Sequence, residues 1–300
     1  MLNNNISKLT LGTVQFGMPY GIANKTGCPS YNEVREIMRT AWENGVSSLD
    51  TAATYGSSEE VLGKVMKDLN ISKKMCITTK IIHMQSGLSK SEAAQVIEKS
   101  ITNSLSLLGV EKLEYCVFHD ENNFIYYDLL LPWKEKGCVA RTGVSVSTPD
   151  AALKIAGTGT VDYLQIPVNV LDSRFLQHAI SKTPNQNKPV LFARSVYLQG
   201  LLLMPAGEIP AGASDAIPVI TQLIKIAGLH GMTMQELCLR YVLSIKEIHS
   251  VIIGVDTRMQ LLDNLTLFSR GPLDENLFKE IKSIIPILPE KCLTPGSWNS

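Results

Sequence analysis

What the 300-residue sequence lacks narrows its function before any motif is considered. It lacks a charge imbalance: Lys and Arg (28) match Asp and Glu (28), so no field draws the chain to nucleic acid or to an anionic membrane surface. It lacks any C-x-x-C pair among its six cysteines, and Cys76 and Cys116 fall inside apolar runs expected to be buried strands, so neither disulfides nor a zinc site is expected. His83, His178, His230 and His249 show no metal-ligand spacing either, and no metal is expected. No apolar run reaches the length of a membrane span, and the opening M-L-N-N-N-I-S-K has neither the basic nor the apolar region of a signal peptide. A cytoplasmic protein is expected, with a small molecule as its partner.

What is present is an alternation of strand-length and helix-length patterns. The run L-T-L-G-T-V-Q-F-G from Leu9 predicts a first strand, placing Thr13 and Val14 at its end. Ser30 and Glu33 form a capping-box pattern before a helix carrying Val34, Ile37, Met38 and Ala41, closed by Gly45. Ala93, Ile97, Ile101, Leu105 and Leu108 trace another helix face up to Gly109. Further helices are predicted near Phe124 to Lys136, after Pro149, near Arg174, and at Ala216 to Leu229 and Thr233 to Ile245. Strands are predicted at Ala140 to Ser147, Tyr163 to Pro167, Pro189 to Arg194 and Ser250 to Gly254. Eight strands in a βα rhythm, with no domain boundary, predict an α/β protein: a single (β/α)8 TIM barrel of parallel strands over residues 1–300.

In such a barrel the C-terminal strand ends share one face, so the residues that close consecutive strands converge. The stretch S-L-D-T-A-A-T-Y-G-S-S-E-E-V-L-G from Ser48 brings Asp50 and Tyr55 there; M-C-I-T-T-K ends on Lys80, and Y-C-V-F-H-D brings His119. Singly, each has a plainer reading as a loop, surface or strand-end residue; together they favour a site. Glu59 and Glu60 read as helix-start charges. A phenol ionises near ~10, but a neighbouring ammonium stabilises the phenolate, which makes Lys80 the candidate partner of Tyr55. Asp50 is the natural counter-ion for a buried Lys80, and His119 supplies a hydrogen bond to substrate. This combination suits proton donation to a carbonyl as hydride arrives from elsewhere. After the last strand, Gly254, Val255, Asp256 and Thr257 lead into a helix whose N-terminus can receive a phosphate, with Arg258 as an added cation.

These motifs resemble the aldo-keto reductase family, from L-G-T-V-Q-F-G through D-T-A-A-T-Y-G-S-S-E, T-T-K, F-H-D, G-V-S, Q-I-P-V-N and Q-G-L-L to I-I-G-V-D-T-R-M-Q-L-L-D-N-L. The resemblance implies that Asp50, Tyr55, Lys80 and His119 are a catalytic tetrad, Tyr55 being the general acid in carbonyl reduction. It also implies that Ser145 and Gln165 hold the nicotinamide carboxamide and that Gln260, Asp263 and Asn264 meet the adenine side. The cofactor would be a nicotinamide dinucleotide bound without a Rossmann motif. NADPH is expected over NADH, because Arg258 would attract the 2'-phosphate more strongly than Asp256 repels it.

Three positions depart from the family pattern: Val146 follows the serine where Asn is common, Arg194 replaces an aromatic ring that stacks on the nicotinamide, and Asp256 replaces a small hydroxyl or basic residue. A guanidinium is planar and can stack as a ring does. Two other functions remain open at this point: a dinucleotide-binding regulatory or sensor protein with little turnover, and a barrel lyase using Lys80 as a Schiff-base residue.

Overall fold

A computed structural model describes residues 6–172, 174–177 and 188–298, so His178 lies outside the described residues. Its strands are β1 (Leu9–Gly12), β2 (Ser48–Asp50), β3 (Cys76–Ile81), β4 (Leu113–Phe118), β5 (Val139–Ser145), β6 (Tyr163–Pro167), β7 (Val190–Arg194) and β8 (Ile248–Gly254). Each pairs in parallel with the next, and β8 returns to β1, closing the barrel. The helices are α1 (Tyr31–Glu43), α2 (Ser58–Asp68), α3 (Lys90–Leu108), α4 (Leu131–Glu135), α5 (Pro149–Gly157), α6 (Arg174–Gln177), α7 (Ile217–Leu229), α8 (Met234–Leu243), α9 (Arg258–Ser269), α10 (Glu275–Ile284) and α11 (Glu290–Leu293). The expected (β/α)8 barrel is the observed fold.

Local chemistry accounts for most boundaries. Ser89 and Glu92 cap α3 reciprocally, and Gly109 ends it in the left-handed region (φ 65°) that glycine adopts without a Cβ clash. The pair expected to box α1 does half of this. Ser30 accepts from the Glu33 N–H, but the Glu33 carboxylate turns to the backbone N–H of Arg258 at 2.7 Å, joining α1 to the start of α9. The helix expected from Phe124 is a 3-10 stretch, Glu121–Leu130, followed by the short α4. Pro132 explains the break: it lacks an N–H and is tolerated only in a helix's first turn, so α4 starts afresh around it. The long segment after β7 forms three 3-10 turns, and α10 and α11 had no counterpart in the sequence reading.

The barrel interior is layered. Tyr115, Tyr163 and Phe192 fill its axis with Cys76, Val117, Val190 and Ile252, the Tyr163 and Phe192 rings 4.7 Å apart. Burial of each such ring contributes about 2–3 kcal/mol. Registers Gly12↔Asp50, Asp50↔Thr78 and Ser145↔Gln165 then place the polar strand ends in the layer above this plug. The apolar floor keeps water from reaching those groups from below, so they must satisfy one another.

Candidate active site

Lys80 is the hub of that polar layer. Its side chain is 0% exposed and its ammonium donates to Asp50 Oδ2 at 2.7 Å, to the Thr51 carbonyl at 2.9 Å and to the Tyr55 hydroxyl at 3.4 Å. Burial pushes the Lys80 pKa down, but the charges of Asp50 and Tyr55 outweigh it and leave the amine more basic than usual. Lys80 therefore stays an ammonium. For Tyr55 burial is the larger effect and raises its pKa, while Lys80 pulls it back. The expectation that Lys80 favours the phenolate holds for its sign, but desolvation of the hydroxyl outweighs it. The net result is a phenol that keeps its proton, beside a cation ready to stabilise the phenolate once the proton leaves.

His119 meets Tyr55 edge-on, with ring centroids 5.5 Å apart, and is bonded through Nδ1 to the Thr54 hydroxyl at 3.0 Å. Burial first, then the charges of Lys80, His83 and Arg194, lower its pKa to about 2, so the imidazole is neutral at physiological pH. Nε2 is the nitrogen left to meet a substrate oxygen. His83 stacks on the same ring at 4.5 Å, a partnership that metal-ligand spacing does not reveal. The signal was its position two residues past the end of β3, on the same rim.

The loop bearing Tyr55 is fixed by close backbone approach. A Cβ on Gly17 would lie 1.9 Å from the Tyr55 carbonyl, and one on Gly56, whose φ is 54°, would lie 2.2 Å from the Gly17 carbonyl. Ser58, buried in the first turn of α2, donates to the Thr13 carbonyl at 2.8 Å and touches the Thr13 and Thr51 hydroxyls, while Thr13 Oγ1 donates to the Asp50 carbonyl at 3.0 Å. Glu59 is no surface helix-start charge. It is 3% exposed and accepts from Thr79 Oγ1 at 2.6 Å, tying α2 to β3. Glu60, by contrast, pairs with Lys64 on the surface.

Beside Tyr55 opens a cleft of about 380 Å³, within the range of small-molecule sites. Of the residues expected to hold a cofactor, it gathers Thr13, Val14, Asp50, Gln165, Arg194, Gly254, Asp256, Gln260, Asp263 and Asn264. Ser145 stands behind Gln165 and donates to its Oε1 at 3.3 Å. Gln165 Nε2 donates to Asp50 Oδ1 at 2.7 Å and to the Tyr163 hydroxyl at 2.9 Å. Two expected residues are not brought in. The Val255 side chain is 1% exposed and packs in the core, and the Arg258 guanidinium turns to Thr40 Oγ1 at 2.8 Å, away from the cleft. Asp256 faces the cleft, its carboxylate held by Asn24 Nδ2 at 3.0 Å and its N–H by Gln260 Oε1 at 2.7 Å.

The cleft also contains a group that no sequence motif marks. Gln15 lines it, and its Oε1 is buried without a hydrogen-bond partner. Gly254 makes room for this side chain, since a Cβ there would lie 2.5 Å from Gln15 Nε2. A buried acceptor without a protein partner, placed in the cleft wall, is open to a donor from a bound group. With the amide of Gln165 at one end and the polar start of α9 at the other, the residues fit an elongated polar group such as a nicotinamide dinucleotide.

The sequence matches the aldo/keto reductase family over residues 8–286. Among proteins of known function it is 28% identical over 283 residues to an L-galactose dehydrogenase of Arabidopsis thaliana, covering 86% of this chain and 85% of that protein. It is 22% identical over 244 residues to a chloroplastic pyridoxal reductase of the same plant, covering 70% of this chain and 66% of that one. An aldo-keto reductase from Bacillus halodurans, in its holo form, superposes with a TM-score of 0.76 at 19% identity over 96% of each chain. Among the described residues no helix is long and apolar enough to cross a membrane. With the barrel, the strand-end residues and the family match in agreement, the chain belongs to the aldo/keto reductase family, oxidoreductases that use nicotinamide cofactors.

Proposed function

We propose that the protein reduces an aldehyde or ketone to an alcohol, with Tyr55 as the proton donor. The observation that carries this reading is the Lys80 ammonium shared between Asp50 and Tyr55. A buried phenol beside a fixed cation gives up its proton as negative charge develops on a carbonyl oxygen, and the ammonium then meets the phenolate without rearrangement. Neutral His119 offers Nε2 to the same oxygen. When bound, the nicotinamide supplies the hydride; Gln165, Ser145, Gln15, Asp263 and Asn264 are the residues proposed to hold the dinucleotide. A Lys80 held as an ammonium is a poor amine nucleophile, which counts against the Schiff-base reading. The test is turnover of NADH or NADPH on a panel of aldehydes and ketones. Tyr55→Phe is expected to lower kcat by about 10²-fold or more while leaving dinucleotide affinity within a few fold. Near wild-type reduction by Tyr55→Phe would remove Tyr55 from the proton-donor role.

For cofactor choice, we infer a preference for the unphosphorylated dinucleotide. The expected preference for NADPH relied on Arg258 reaching the 2'-phosphate at the start of α9. Instead the Arg258 guanidinium is bonded to Thr40, the Glu33 carboxylate covers the Arg258 N–H, and Asp256 lines the cleft. Two carboxylates at that end favour a ribose hydroxyl over a phosphate. Fluorescence titration with NADH and NADPH decides the matter: tighter NADH binding that inverts in Asp256→Ser supports this reading, and tighter NADPH binding by the wild type overturns it.

A further inference from the structure

We propose that the carbonyl substrate carries a carboxylate or phosphate group and that Arg194 binds it, an inference that rests on the carbonyl-reducing function proposed above. The charges of the tetrad cancel locally, Lys80 against Asp50, with His119 neutral. Among the described residues that line the cleft, Arg194 is the one cation, and the other charges without an opposite partner, Asp256 and Asp263, belong to the end of the cleft at α9.

The orientation of Arg194 assigns it to the tetrad half. It leaves the end of β7 and passes over β6. Its Nη2 donates to the Val146 carbonyl at 3.1 Å and to Ser147 Oγ at 3.3 Å, both just beyond β5, and its Nη1 donates to Ser195 Oγ at 3.2 Å. The side chain thus points away from β8 and α9 and toward the strands that carry His119 and Lys80, and its charge is felt at His119. All three acceptors are neutral, and among the described residues no carboxylate lies within ion-pair distance of it. Glu121, the carboxylate on the adjacent loop, is committed to the Ser147 N–H and the Thr148 hydroxyl. The neutral acceptors fix the guanidinium without discharging it. They leave the Nε–H and one Nη1–H for a ligand, and a guanidinium so placed recognises the oxygens of a carboxylate or phosphate.

This also joins two departures from the family pattern. Val146 sends its side chain into the core, 0% exposed, and gives its carbonyl to Arg194. An unpaired cation at the mouth of a reductase site discriminates between substrates that differ in charge and leaves the reacting carbonyl to Tyr55 and His119.

The test uses matched substrate pairs: 4-carboxybenzaldehyde against methyl 4-formylbenzoate for a carboxylate, and glyceraldehyde 3-phosphate against glyceraldehyde for a phosphate. In one pair, kcat/KM for the anionic member is expected to exceed that of the neutral member by about tenfold or more, the scale of one charge-assisted hydrogen bond. Arg194→Leu should bring that ratio near one with the dissociation constant for NADH within about threefold, and Arg194→Lys should restore part of it. The pair that responds identifies the group. Equal or better use of the neutral member in both pairs overturns the proposal. So does an Arg194→Leu variant whose main loss is in dinucleotide binding, which would assign the guanidinium to the cofactor. Calorimetric titration with 4-(hydroxymethyl)benzoate and with its methyl ester, and with glycerol 3-phosphate and with glycerol, reads recognition without turnover. Tighter binding of one anion than of its neutral partner, lost in Arg194→Leu, supports the proposal even if no carbonyl is reduced, in which case only the catalytic reading fails. Equal binding within both pairs overturns it even if reduction is observed.

Discussion

Replacing Lys80 by Met probes the structure where its polar layer is most interdependent. Met keeps most of the volume of the lysine stem, so little cavity arises; what is lost is a charge with three acceptors around it. Asp50, whose side chain is 6% exposed, keeps the Gln165 amide on Oδ1 but loses the donor on Oδ2. Removing one member of a buried ion pair typically costs about 3–5 kcal/mol, most of it the penalty of the charge left behind. The double variant Asp50→Asn/Lys80→Met removes that charge too and should recover about 2 kcal/mol of the loss, measured by urea unfolding. The catalytic consequence follows from Tyr55. Burial already raises its pKa and Lys80 opposes that rise, so without the ammonium the phenol holds its proton more tightly still. In Lys80→Met the alkaline limb of carbonyl reduction should therefore move to higher pH while kcat falls about 10²-fold or more. A single variant within about 1 kcal/mol of wild type, a double variant no more stable than the single, or an alkaline limb that does not move would refute this account of the hub.

His119 should make the protein acid-sensitive. Its pKa is about 2 when folded and ordinarily 6.5, so its contribution is fully present above pH 6.5 and is lost as pH falls toward the folded value. The limiting slope is about 1.4 kcal/mol per unit, and solvent contact at the ring narrows the pH window over which it acts rather than changing that slope. Urea unfolding at pH 7 and 5 should show a smaller loss in His119→Gln than in wild type, and equal losses would contradict the assignment. Gly17→Ala should cost about 2 kcal/mol or more and lower kcat, because the new methyl displaces the backbone that sets Tyr55; a wild-type melting temperature and rate would show that this approach is not tight.

The sequence was most informative where chemistry and period coincide. Asp50, Lys80 and His119 each close an apolar run of strand length, so strand count and barrel closure were enough to bring them together with Tyr55. The helix faces of α1 and α3 were legible because one side of each is buried. Less was legible where a side chain chooses between partners. Glu33 matched a capping box but serves Arg258; Arg258 looked like a phosphate cation but serves Thr40. Both choices depend on α1 packing beside α9, a contact between distant segments that local spacing does not encode. Glu59 reads as a solvated helix start until β3 lies against it. Gln15 and His83 are not legible because an amide beside a strand end and a lone histidine carry no pattern of their own.

The Gln165 amide belongs to two circuits at once. It steadies Asp50, and it lines the cleft where a cofactor amide is proposed to sit. A ligand that draws this amide toward itself changes how firmly Asp50 is held, hence how Asp50 shares Lys80 with Tyr55. Binding in the cleft and proton affinity at the phenol are then thermodynamically linked, and the linkage runs both ways: whatever the occupied cleft does to the acidity of Tyr55, ionisation of Tyr55 does to the affinity of the cleft.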